Sequence, residues 1–236
     1  AGAVVPFWVW MGKTGGGLLA YRLAGLAALY VSWVAASAFY RGMKTELSFR
    51  VPRTLAVAGP AFFYLTLCFV NPEQHYYIVL SFLVAGTASS VAASRFLKRP
   101  LLAVAALGGT IPAFGVWLGR WYRPDFLCLH LGALAALYVT YIVASEFQRR
   151  FHAEAPYSEY RPVLLGGVAF LYLTLCFTRA GGQHIVFLGF LTGMTVASVA
   201  AAHLLRRPVL AAAALGGTIP AFWSWMARSY RPEHIY

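Results

Sequence analysis

Acidic residues are scarce in this chain. Asp and Glu together number 7 in 236 residues, and all charged residues make up only 11%, against about a quarter in a soluble domain. Glu46, Glu146, Glu154 and Glu159 lie on or near basic loops, and Glu73, Asp125 and Glu233 lie between other runs. None stands in the middle of an apolar stretch. Proton relays and cation pathways need a carboxylate inside the membrane, so a proton pump or proton-coupled carrier is disfavoured. Cysteine is also sparse. Cys68, Cys128 and Cys176 fall inside apolar runs at spacings that fit no zinc, haem or redox motif, and they read as small buried hydrophobes. There is no Ser/His/Asp set, no HExxH and no pair of carboxylates in one plausible pocket. Catalysis is not expected, and neither is a cofactor. Gly12-Lys13-Thr14 resembles the tail of a phosphate loop, but Phe7 stands where that loop requires glycine. The first residues lack a basic segment leading into an apolar core, so no secretory signal is read there.

What the chain does have is apolar length. It is 60% hydrophobic and 16% aromatic, with a mean hydropathy of +0.66, the composition of an integral membrane protein. Eight apolar runs lie between charged breaks: 19–40, 54–70, 76–96, 101–118, 126–147, 162–177, 185–205 and 209–226. They are continuous rather than alternating, which predicts helices and not barrel strands.

The sequence is written twice. AALGGTIPAF at 105–114 returns at 213–222, LAALYV at 26–31 returns at 134–139, and YLTLCF at 64–69 returns at 172–177, each 108 residues on. A period this long, with several apolar runs per unit, is a duplicated domain rather than a solenoid. The predicted fold is all-α and membrane-integral. It has about eight transmembrane helices, formed by a tandem duplication of a four-helix unit. Residues 1–18 form an N-terminal segment, 19–125 the first repeat and 126–236 the second. An even number of spans per repeat sends both halves into the membrane in the same direction, a parallel repeat.

With that topology the basic loops sort. Twelve Lys and Arg collect on one side and seven on the other, with a net charge of +12 overall. The richer side holds Arg41, Arg53, Lys98, Arg99, Arg149, Arg150, Arg206 and Arg207, which are the candidate contacts for anionic lipid, cardiolipin among them. The bias sets the richer side in the matrix or cytoplasm, with both termini opposite. Because these bases lie between membrane runs, nucleic acid is not expected as a partner.

Three sets of residues invite a functional reading. In the duplicated motif, Gly108, Gly109, Thr110 and Pro112 (then Gly216, Gly217, Thr218 and Pro220) are expected to loosen or break a helix, for packing or for a transport site. His75 and His184 follow glutamines after the second run of each half and are weak candidates for a haem or pigment ligand. His130 and His203 have Arg22 and Arg95 as repeat mates, which predicts polar positions near the membrane surface. Small-residue ladders, Ala24/Ala28/Ser32/Ala36 and Gly132/Ala136/Thr140/Ala144, with Gly86/Ser90/Ser94 and Gly193/Ala197/Ala201, predict close helix packing. The tryptophans near the run ends read as an interfacial belt.

The resulting expectation is a non-catalytic, multi-span accessory subunit of a membrane complex that contacts lipids and neighbouring subunits. A respiratory or ATP-synthase assembly of the mitochondrial inner membrane is its expected home. The alternative is a small-solute or lipid transporter with its site between the two LGGTIPAF segments. A weaker alternative is a haem- or pigment-binding membrane protein.

Overall fold

The computed structural model describes residues 9, 19–42, 50–70, 76–96, 100–151, 161–180 and 182–229. Eight long α-helices account for nearly all of them: α1 Leu19–Gly42, α2 Arg50–Phe69, α3 Tyr76–Phe96, α4 Pro100–Trp121, α5 Leu127–Phe151, α6 Arg161–Phe177, α7 His184–Leu204 and α8 Pro208–Ser229. A 3₁₀ turn, Pro124–Phe126, joins α4 to α5. Among the described residues there are no strands. Six helices carry a stretch long and apolar enough to cross a membrane, the shortest being the 18 residues Leu19–Ala36 of α1. The chain is therefore an all-α integral membrane protein.

The other two helices, α2 and α6, have shorter apolar stretches, Ala58–Phe69 and Leu164–Phe177. In the first half α1 packs on α2, α2 on α4 and α4 on α3; in the second half α5 packs on α6, α6 on α8 and α8 on α7. The halves meet where α3 packs on α5, and α4 reaches both α5 and α6. A single core runs through the junction, with Leu26, Leu80, Leu134, Leu137 and Leu171 all fully buried.

Hydroxyls inside the helices have no water to bond, so they fold back on their own backbone. Thr66, Thr87, Thr110, Thr195, Ser198 and Thr218 each donate to the carbonyl four residues earlier, at 2.6–2.9 Å.

Two expectations are corrected at this level. The duplicated Gly-Pro segments do not break their helices: α4 runs through Pro112 and α8 through Pro220. Proline removes one ladder hydrogen bond, and both helices nevertheless continue beyond it, to Trp121 and to Ser229. The small-residue ladder of the first helix does not face a neighbour inside the chain either. Ala24, Ala28 and Ser32 point outward on α1, as do Gly132 and Ala136 on α5 and Gly193 and Ala197 on α7. In α3 the ladder does pack, since Ser90 is fully buried and accepts a hydrogen bond from Tyr30 at 2.7 Å.

Candidate functional site

Each duplicated segment sits in a hydroxyl chain that ties three helices. In the first half Tyr64 of α2 bonds Thr87 of α3 at 2.8 Å, and Thr87 bonds Thr110 of α4 at 2.8 Å. In the second, Tyr172 of α6 bonds Thr195 of α7 at 3.0 Å, and Thr195 bonds Thr218 of α8 at 2.7 Å. All three members recur at the 108-residue offset. Because Thr87 and Thr110 also reach their own helix carbonyls, the hydroxyl hydrogens are shared among more contacts than they can fill at once. The chain is saturated from within.

The tyrosines pack against the second glycine of each motif. A methyl added at Gly109 would overlap Tyr64 Cδ2 and Cγ, and one at Gly217 would stand 2.6 Å from Tyr172 Cδ2. Gly108 and Gly216 have nothing within 4 Å of an added methyl. Of the four glycines only the second of each pair is a packing residue. Pro112 and Pro220 are exposed on the outer surface of α4 and α8. The two LGGTIPAF segments are not brought together, since α6 packs against both α4 and α8 and stands between them. A cavity of about 10 Å³ lies in the first half beside Leu67, Cys68, Leu80, Leu83, Ala113 and Trp117. That is room for one water at most.

The second constellation lies at the junction of the halves, around a residue read from the sequence as a polar position near the membrane surface. His130 of α5 is fully buried. Its ring stacks on Trp117 at 5.2 Å and 12°, with Phe114 at 5.0 Å and Tyr122 at 5.1 Å. Nε2 lies 3.2 Å from Thr178 Oγ1. Thr178 already donates its hydroxyl hydrogen to the Thr174 carbonyl at 2.9 Å, so it accepts from His130. That assigns the proton to Nε2 and leaves Nδ1 a bare acceptor. Nδ1 and the Trp117 Nε1–H are both buried without a hydrogen-bond partner.

Contacts around the cage close the junction. The Tyr122 hydroxyl, pushed up to about 12 by burial, donates to the Arg179 carbonyl. The Arg123 guanidinium lies 5.4 Å over the Tyr76 ring, which also packs on Phe126 at 5.0 Å. A signal for this site was present in the repeat. Phe114, Trp117 and Tyr122 recur as Phe222, Trp225 and Tyr230, whereas His130 and Thr178 replace Arg22 and Val70. The hydrogen-bonded pair is the part that breaks the repeat.

No protein-family model, curated protein or solved structure matches this chain.

The remaining candidates are placed as follows. His184 Nδ1 accepts from Trp225 Nε1 at 3.3 Å, while His75 lies outside the described residues. Among the described residues no three His, Cys, Asp or Glu side chains converge as metal ligands. Trp117 is buried and Trp225 stacks on Phe187 at 6.5 Å, whereas Trp223 is exposed. Cys68 and Cys176 are half-buried, but Cys128 is exposed, contrary to the reading of buried hydrophobes. Arg206 is exposed and Arg207 partly so. Arg41, Arg53, Arg149 and Arg150 lie at helix ends of α1, α2 and α5, with side chains outside the described set, as are Lys98 and Arg99 entirely.

Proposed function

We propose that this chain is a non-catalytic structural subunit of a membrane protein complex. In this reading all eight helices cross the bilayer as a parallel duplication of a four-helix unit. The observation that carries the proposal is the pair of hydroxyl chains, Tyr64–Thr87–Thr110 and Tyr172–Thr195–Thr218. The polar side chains that a carrier would turn toward a solute are here spent on holding helices together. The apolar outer faces, with Ile185, Leu204 and Phe96 among the most exposed side chains, suit lipid and neighbouring subunits. The basic bias of the loops supports a matrix-side orientation in a mitochondrial inner membrane, within a respiratory or ATP-synthase assembly, with anionic lipid such as cardiolipin on Arg206 and Arg207.

The test is purification of the tagged chain in mild detergent, with co-purifying proteins and lipids identified by mass spectrometry. Stoichiometric recovery with other membrane subunits and with anionic lipid is the expected result. A chain that purifies alone, and that moves a solute across vesicles, would sink the proposal.

A further inference from the structure

The junction between the halves uses surfaces that the repeat supplies twice but the chain uses once. Within the chain α3 and α4 receive α5 and α6. The equivalent pairing, α7 and α8 receiving α1 and α2, is not among the packed pairs of the described residues. Two residues of α4 form the seat. Leu107 offers its carbonyl to the Tyr141 hydroxyl at 2.5 Å, and Phe114 packs on His130 and on Phe170 at 5.5 Å. Their repeat mates are the same residue types, Leu215 and Phe222. Leu107 and Phe114 are 3% and 0% exposed, whereas Leu215 and Phe222 are 54% and 39% exposed. The adjoining helices show the same change, with Val91 of α3 at 6% and Val199 of α7 at 39%.

The groups that would enter this open seat stand at the other end of the chain. The mates of Tyr141 and His130 are Trp33 and Arg22, both partly exposed; Phe62, the mate of Phe170, is already buried against Trp33. Trp33 keeps an N–H donor where Tyr141 has its hydroxyl. Arg22 brings a guanidinium to the position where imidazole sits in the aromatic cage, and guanidinium also favours aromatic faces.

The geometry points to head-to-tail self-assembly. The α7–α8 face of one copy seats α1–α2 of a second copy, in the contact that already joins the two halves of each chain. A second copy is the occupant because its complementary surface is in contact with the twin of this seat inside every chain. The assembly rests on the parallel eight-span reading, since both copies must cross the membrane in the same sense. Such a contact is heterologous, so it closes into a ring or continues as a row.

The experiment places photoreactive benzoylphenylalanine at position 222 of one tagged copy, expressed with a differently tagged copy in its native membrane. The expected product is an inter-copy adduct mapping to the α1–α2 peptides around Arg22 and Trp33. A second variant, Leu215→Arg, should lower the yield about tenfold, a hot-spot-sized loss, with the thermal unfolding of the chain unchanged. Adducts with lipid alone, with another protein, or with the 222 region of the second copy would each overturn the assignment. Loss of the adduct while other subunits still co-purify would reject self-assembly and leave the structural role standing.

Discussion

Two tyrosine rings divide the glycines of the repeated motif into those that pack and those that do not. At Gly109 and Gly217 the added methyl of alanine meets a ring held by its own hydroxyl in a three-helix chain. Overpacking of this kind costs about 1–3 kcal/mol, which outweighs the gain of about 1 kcal/mol for alanine over glycine in a helix. Gly109→Ala and Gly217→Ala should therefore lower the thermal midpoint in detergent. Gly108→Ala and Gly216→Ala should leave it unchanged or raise it. Thr110→Val should do less damage than Gly109→Ala, because Tyr64 still bonds Thr87 and Thr87 still reaches Leu83, and one such bond in a membrane is worth about 0.6 kcal/mol. Equal midpoints for Gly108→Ala and Gly109→Ala would disprove the ring contact.

His130 allows a different comparison at the same scale. Its ring fills the space between Phe114, Trp117 and Tyr122, yet one of its nitrogens lacks a partner. Truncation to alanine removes the stack and should destabilise by about 3–5 kcal/mol, as for other buried aromatic rings. His130→Phe keeps the stack and removes the orphaned acceptor, so it should cost little. Thr178 retains its bond to Thr174 in both variants. If His130→Phe proves as damaging as His130→Ala, the imidazole itself is needed and the cage is more than packing.

At the scale of the element, the end of α7 is unusual in its choice of residue. Arg207 N–H donates to the Ala202 carbonyl at 2.7 Å and Arg206 N–H to the His203 carbonyl at 3.1 Å. That crossed pair is a Schellman cap, whose first residue beyond the helix adopts a left-handed conformation. Arg206 occupies it with φ 55, where glycine is the easier residue by about 1 kcal/mol. Arg206→Gly should therefore raise the thermal midpoint while reducing the anionic lipid retained in native mass spectrometry. Unchanged lipid retention would remove Arg206 from the lipid site.

At the scale of the molecule, the two halves repeat their internal packing order, α1–α2–α4–α3 and α5–α6–α8–α7. The Tyr30–Ser90 and Tyr138–Ser198 bonds, both 2.7 Å, and the two hydroxyl chains fall at matching positions. An experimental map of the protein in lipid should show the halves superposing by rotation about the membrane normal. Halves related by an axis in the membrane plane would refute the parallel duplication.

The sequence by itself located the helices, with ends within four residues: the run at 162–177 differs from Arg161–Phe177 by one residue, and the run at 54–70 from Arg50–Phe69 by four. It also displayed the 108-residue repeat on which the matched contacts fall. Both are local properties, because continuous apolar length specifies a helix in a medium without water. Only the tertiary structure decided which face of each helix points inward. In water the buried face of a helix is the apolar one and can be read from its period; in lipid the outer face is apolar too, so no contrast marks the interior. For that reason Ala24 and Ala28 looked like packing residues and face outward, while nothing in the sequence marked His130 as buried among aromatic rings. The same lack of contrast hid which glycine of each pair lies under a tyrosine ring, a distinction made by a partner 45 residues away in sequence, Tyr64 to Gly109 and Tyr172 to Gly217.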